Sequence, residues 1–201
     1  MKKNIKRVMV TKNVFLLSIP LVILAILFLP QNNVTRAQEN KIPNFIEMES
    51  KHVQEERFAI LFPSIPRKTI VDSETEGVKI TNYQADDDTG LYTFSLGELK
   101  DSINDKQAQK NYIKNLFDTL FSTGENTTLY DSKQTDEYPY TLEYLYSSTH
   151  TGFDIIHVGV ISLIDNKTYI KATLLCPLIL LESTDEFFEN YNNFINSLKI
   201  K

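Results

Sequence analysis

The stretch from residue 154 to residue 198 constrains the fold most, because it reads as a long β-hairpin followed by an amphipathic helix. Asp154-Ile-Ile-His-Val-Gly-Val-Ile-Ser-Leu-Ile164 is rich in β-branched residues and poor in helix formers. Asp165 and Asn166 come next, a pair that tolerates the positive φ of a two-residue hairpin turn, and Lys167-Thr-Tyr-Ile-Lys-Ala-Thr-Leu-Leu175 returns. Pairing Ile164 with Lys167 sets Ile161 opposite Ile170, Gly159 opposite Ala172, His157 opposite Leu174 and Ile155 opposite Cys176. Side chains alternate along a strand, so these residues would share one nearly apolar face. Ile156, Val158 and Val160 with Lys171 and Thr173 would make a mixed second face.

Pro177 has no N–H to donate and ends the return strand. Ser183-Thr-Asp-Glu186 is a capping-box pattern with acidic residues where a helix dipole favours them. Phe187, Phe188, Tyr191, Phe194, Ile195 and Leu198 then recur at helical spacing as one stripe, which needs a sheet to lie on.

The start of the chain has a different character. Lys2, Lys3, Lys6, Arg7 and Lys12 precede an uncharged apolar run from Val14 to Leu29. Basic residues before such a run hold the N-terminus in the cytoplasm and send the C-terminal remainder across the membrane. The run is long for the core of a signal peptide and short for a spanning helix, so cleaved signal and uncleaved anchor both remain open. Thr35-Arg-Ala37 offers a small-x-small cleavage site before Gln38. Residues 1–37 hold 6 of the 21 basic residues and none of the 26 acidic ones. The remainder has 21 minus 6, or 15, basic residues against 26 acidic, a net charge of −11. That charge disfavours nucleic acid and anionic membrane surfaces as partners.

Residues 38–56 are polar and carry Pro43, which suits a tether with a short helical turn at its apolar Phe45 to Met48. The folded domain is expected from residue 57 to 201. Phe58, Ile60 and Phe62 alternate with Ala59 and Leu61 as a strand apolar on both faces, closed by Pro63 and Pro66. Strands at residues 78–83 and 91–96 flank the acidic turn around Asp86, Asp87 and Asp88. A helix over residues 105–123 presents Ala108, Tyr112, Ile113, Leu116, Phe117, Leu120 and Phe121, with Gly124 placed as its C′ residue. Residues 127–132 are a weak strand, and Tyr140, Leu142, Tyr144 and Tyr146 mark a better one.

Phe58-Ala-Ile-Leu-Phe-Pro-Ser-Ile-Pro66 resembles the opening F-x-I-x-F-P-x-x-P of the PsbP-like proteins. Lys167-Thr-Tyr-Ile-Lys-Ala172, with a closing helix ending Phe194-Ile-Asn-Ser-Leu198, is similar to that family's ending, although Leu198 replaces the usual aromatic. The resemblance spans residues 57–200. It implies an α+β protein, an α/β/α sandwich with a central antiparallel sheet flanked by helices, and the Ran-release-factor-like proteins share that fold. Relatives include photosystem accessory subunits, Ran-binding import factors and envelope lipoproteins. They share no chemistry, so the resemblance carries over no functional residue.

Candidate chemistry is sparse. Asp86, Asp87 and Asp88 could offer oxygens to a hard cation, but a calcium loop needs further spaced ligands that are missing here. His150 and His157 flank Asp154, with Ser147 and Ser148 nearby, yet no nucleophile elbow surrounds either serine. Cys176 is the single cysteine, which excludes an intrachain disulfide, and its expected pairing makes it a buried thiol. Tyr138, Tyr140, Tyr144 and Tyr146 suit core packing first and a tyrosine-lined binding surface second. Asn126 and Asn166 head glycosylation sequons, which matter only in a eukaryotic secretory pathway. Glycine-rich phosphate loops and metal-spaced Cys/His sets are absent, so no cofactor is expected.

The expectation is a non-enzymatic extracytoplasmic binding or accessory module, secreted or tethered through residues 14–29, with a protein partner. A hydrolase using His150 or His157, or a purely structural envelope protein, is the alternative. Residues 38–201 are expected to fold alone and stay soluble. Circular dichroism of that fragment should show strand signal and a cooperative melt, and an unfolded spectrum would place the domain boundary elsewhere.

Overall fold

The computed structural model describes residues 46–73, 77–136, 139–181 and 183–201. Its strands run β1 (Ile46–Glu47), β2 (His52–Gln54), β3 (Phe58–Leu61), β4 (Arg67–Ser73), β5 (Val78–Asp86) and β6 (Leu91–Leu99). Helix α1 (Lys106–Ser122) precedes β7 (Glu125–Gln134), β8 (Thr141–His150), β9 (Phe153–Leu163) and β10 (Thr168–Pro177). A 3-10 turn (Leu178–Leu180), helix α2 (Thr184–Asn196) and β11 (Lys199–Ile200) close the chain. Eight strands form one antiparallel sheet in the order β1-β4-β5-β6-β10-β9-β8-β7, and β11-β3-β2 form a second, small sheet.

This overturns the expected α+β sandwich with a helix-flanked sheet. The architecture is mainly antiparallel β, with two helices among the described residues. Helix α1 packs on β8 and β9 and touches β7, covering one face at one end of the large sheet. The opposite face is covered by the small sheet together with the single helix α2, not by a helical layer alone. Phe58 and Phe62 from in and beside β3 meet Phe94 and Phe194, with ring centroids 4.5 and 5.2 Å apart. Helix α2 lies beside the small sheet and shares that core through Phe187 and Phe194. The C-terminal residues make this cover continuous, because β11 pairs with β3 and the Leu61 N–H donates to Ser197 Oγ at 3.0 Å.

The folded part also begins earlier than residue 57. Within the span read as a tether, β1 pairs with β4 as a strand rather than a helical turn, and Val53 of β2 is fully buried. Glu55 then joins the two sheets by accepting from Lys68 Nζ at 2.8 Å and Tyr83 Oη at 2.6 Å. The Lys68 bond first, and the Tyr83 bond second, hold its carboxyl below the usual range despite partial burial. The apolar run at residues 14–29, Ala37 and the start of the tether lie outside the described residues. No helix among the described residues is long and apolar enough to cross a membrane.

The register of the central hairpin differs from expectation by one residue. Lys171 pairs with Ile161, Thr173 with Gly159, Leu175 with His157 and Pro177 with Ile155. The cause is the turn. Ile164 N–H donates to Thr168 O at 2.9 Å, so three residues connect the strands, and none of them takes the positive φ a two-residue turn demands. The Lys167 N–H instead donates to Asp165 Oδ1 at 2.7 Å. Neighbouring chain locks this shape: Ile103 N–H donates to Asn166 O at 2.7 Å, and the Asn166 amide donates to Asn104 Oδ1. Arg57 reaches both Asp165 Oδ2 and Thr168 Oγ1.

One shift inverts the faces. Ile156, Val158 and Val160 now join Ile170, Ala172 and Leu174 under the small sheet, all apolar. His157, Gly159 and Ile161 share the α1 face with Lys171 and Thr173. On that face Gly159 leaves room for Tyr144 to reach across β9, and Tyr144 Oη bonds Thr173 Oγ1 at 2.8 Å. A Cβ at Gly159 would lie 2.5 Å from that Oη and 2.8 Å from the Ala172 carbonyl. Gly159→Ala should therefore destabilise the domain by about 1–3 kcal/mol through overpacking and loss of the buried bond. An unchanged urea midpoint would contradict this packing.

Candidate functional site

Adjacent positions on β8 and β9 bring one serine and one histidine together. Tyr146 pairs with His157 across the strands and Ser148 with Ile155, so Ser148 and His157 are diagonal neighbours under α1. Ser148 Oγ lies 2.8 Å from His157 Nε2. The Tyr146 ring stacks on the imidazole at 4.3 Å and an interplanar angle of 8°. Gly124, just past α1, closes over the pair, since a Cβ there would sit 2.5 Å from Ser148 Cβ. Gly124 has no positive φ, so close approach to Ser148, not left-handed helix termination, explains the glycine.

The other members of the expected set go elsewhere. Ser147 points to the opposite face and pairs with Tyr130 Oη at 3.0 Å. Asp154 accepts from Thr149 Oγ1 at 2.8 Å and stays away from His157. His150 is only partly buried and its ring centroid is 6.3 Å from that of His157. His157 Nδ1 has no hydrogen-bond partner, so no carboxylate orients or charges the ring.

The electrostatics match a packed pair rather than a catalytic one. His157 is 3 % exposed and Ser148 2 %. Burial first, then the charges of His150 and Lys171, push the His157 pKa down to about 3. A general base at neutral pH needs a pKa near 7 and a nucleophile that substrate can reach, and neither condition is met. His157 is thus a core histidine, as expected, although its neighbours are more polar than the apolar set first assigned to it. Lys171 is buried on the same face, and burial pushes its pKa down to about 8.

The acidic turn is a self-contained turn. Asp87 Oδ1 accepts from the N–H groups of Thr89 and Gly90 at 2.8 and 3.2 Å, and Asp86 O accepts from Ser64 Oγ. No group of three or more His, Cys, Asp or Glu side chains among the described residues could hold a metal ion. Cys176 is buried and its thiol donates weakly to Pro177 O at 3.4 Å. Burial, with Asp87 adding, pushes that thiol up, so it stays protonated and unreactive. Tyr140, Tyr144 and Tyr146 are all buried against α1, while Tyr138 lies outside the described residues. They form core and not a binding surface.

A cleft that the residue patterns did not single out lies at the end of β10. After Pro177 the chain turns through Leu178, Ile179 and Leu180, of which Ile179 is 81 % exposed. With the β5–β6 turn and the first turn of α2 this run encloses about 400 Å³, lined by Asp88, Cys176, Ile179, Leu180, Glu186 and Phe187. The Asn190 amide donates to Thr89 Oγ1 at 2.7 Å and fixes the turn against the helix. Ser183 Oγ accepts from Glu186 N–H at 3.3 Å, confirming the helix start and placing the Glu186 carboxylate at the rim. The signal in the sequence was Leu178-Ile-Leu-Leu181 between a strand-ending proline and a capping box, an aliphatic run with no periodic partner.

No family model matches the chain, and no curated protein matches it. Among solved structures, a protein of unknown function and putative regulator from Pseudomonas aeruginosa is similar at a TM-score of 0.39 and 10 % identity, over 63 % of this chain and 94 % of that one. The immunity protein TplEi of T6SS from Pseudomonas aeruginosa, complexed with the "L" peptide, is similar at a TM-score of 0.37 and 11 % identity. That match covers 72 % of this chain and 58 % of TplEi, so the chain spans little more than half of it. Likenesses this distant transfer neither fold nor function.

The buried pair yields a prediction with a sign. An unfolded histidine titrates near 6.5, whereas folded His157 titrates at about 3. Between these values the unfolded chain holds a proton that the folded chain lacks, so this contribution is complete above pH 6.5 and declines as pH falls towards 3. His157→Ala should cost about 1–3 kcal/mol at pH 7 and lose stability less steeply between pH 7 and 5 than the parent. His150→Ala should stay near the parent at pH 7. Urea midpoints at both pH values check this, and equal midpoints for the two variants would contradict the assignment.

Proposed function

We propose that this protein is a non-enzymatic, extracytoplasmic binding or accessory module that meets a protein partner at the cleft beside Leu178–Leu180. The observation that carries the reading is the exposure of three consecutive aliphatic side chains, Ile179 the most exposed of them, next to a concave surface. Ile65 and Phe188 are further exposed apolar side chains on the segments that flank this end, beside Ser64 and Phe187. The burial of the Ser148–His157 pair weighs against the hydrolase alternative. The excess of acidic over basic residues after residue 37 weighs against nucleic acid.

The location rests on charge order in the sequence. Five basic residues precede the uncharged run at residues 14–29, and the acidic remainder lies beyond it. Protease added outside the cytoplasmic membrane of intact cells should digest the domain. Cleavage only after lysis would place the domain in the cytoplasm. N-terminal sequencing of the same material separates a start at Gln38 from a retained anchor.

The partner surface is tested with Ile179→Ser combined with Leu180→Ser. Because both side chains are exposed, the unfolding free energy from urea titration should move by less than about 0.5 kcal/mol. Capture of cross-linked partners from membrane extracts by the full chain should be lost. Undiminished capture by the folded variant would exclude this cleft.

A further inference from the structure

The walls and the rim of the cleft differ in chemistry. Ile179 and Leu180 supply exposed apolar surface over the buried Cys176 and Phe187, while Asp88 and Glu186 stand at its edge and are exposed. The ion pairs among the described residues are Arg57–Asp165, Lys68–Glu55, Lys110–Asp136 and Lys114–Asp118, and none engages Asp88 or Glu186. Asp86 and Asp87 on the turn and Asp185 on α2 add negative charge to both lips. The cleft is therefore a slot of mixed polar and apolar lining, with Ile179 and Leu180 on one wall and Thr89 and Ser183 beside two unneutralised acidic lips. The Asn190–Thr89 hydrogen bond holds the lips in place, which lowers the ordering cost of binding.

We infer that the occupant is a short basic–aliphatic peptide segment of a protein partner. One aliphatic side chain seats against Ile179 and Leu180. Lysine or arginine side chains on either side meet Asp88 and Glu186. The charge of the slot selects this occupant: an acidic segment would be repelled by the two carboxylates, and a purely apolar one would gain no attraction from them. The inference rests on the binding-module reading and adds the chemistry of the partner to it.

The test uses the full chain and a fluorescein-labelled peptide of alternating lysine and leucine, with its glutamate–leucine counterpart as control. Fluorescence anisotropy should show binding of the lysine peptide alone, weakening as salt rises from about 50 to 300 mM. Asp88→Asn with Glu186→Gln should weaken binding about tenfold and flatten the salt dependence. Glu125→Gln with Asp131→Asn on β7 makes the same change in net charge far from the cleft in the strand order and should leave binding unchanged. Ile179→Ser with Leu180→Ser should abolish it.

Equal loss from the two charge-neutralising pairs would reduce the effect to the net charge of the domain and overturn the inference. So would binding of the glutamate peptide, or absence of any peptide binding. Binding to phosphatidylcholine vesicles in place of the peptide would overturn it in favour of a lipid surface. If the lysine peptide fails while the Ile179 and Leu180 variant still loses its cellular partner, the binding-module reading stands and this inference falls.

Discussion

The three-residue turn of Asp165, Asn166 and Lys167 decides which side chains of the central hairpin meet which cover. Its shape comes from an Asp165 carboxylate turned back onto the Lys167 N–H, and from Asn166 clamped by Ile103 and Asn104. Arg57 ties the same tip to the start of β3. Strand periodicity is two, so moving the pairing by one residue would send Lys171 and His157 to opposite sides of the sheet. Lys171 and Thr173 would then keep their own cover while His157 faced the small sheet. The present register keeps His157, Lys171 and Thr173 on one face. There Ser148 and Thr173 each find a bond, with His157 and Tyr144.

The two covers result from that division. On the apolar face, aromatic rings of the small sheet and α2 interdigitate with Tyr92, Phe94, Ala172 and Leu174, and dispersion and burial supply the stabilisation. On the other face α1 brings Ile113 and Phe117 against Tyr144 and Tyr146, whose hydroxyls need more room and more partners. Burial raises the pKa of Tyr144 and Tyr146, so both stay protonated and usable as neutral hydrogen-bonding groups. Catalytic residue types on this face are consumed by packing. A histidine and a serine at hydrogen-bond distance are a necessary part of a dyad, but here access and basicity are both missing.

The exposed aliphatic run lies at the end of the sheet instead, where β10 runs out at Pro177 and the chain must cross to α2. Secondary structure has no means of burying Leu178, Ile179 and Leu180 there: the 3-10 turn is too short to bring all three against one neighbour. The β5–β6 turn and the capped start of α2 frame the gap with carboxylates. The other sheet end is protected differently. Edge strand β7 is almost wholly exposed, yet two register irregularities and Lys133 interrupt it, devices that blunt pairing with another chain.

The sequence by itself determined the elements whose signals are local. The 58–61 strand, the two hairpins, both helices and the cap at Ser183 are legible because periodicity and capping chemistry act within a few residues. Val53, β1, β4 and β11 escaped because short or polar strands form only when a partner offers its edge, and Lys199 and Ile200 pair with residues from the far end of the domain. The one-residue register was undecidable locally, since the turn conformation is held by Ile103, Asn104 and Arg57, all remote in sequence. His157 was legible as buried but not its partner, which required the β8–β9 alignment. The cleft was least legible of all, because Asp88 and Glu186 come together only when the β5–β6 turn and α2 dock side by side. Exposure is a property of what fails to pack, and only the tertiary structure decides that.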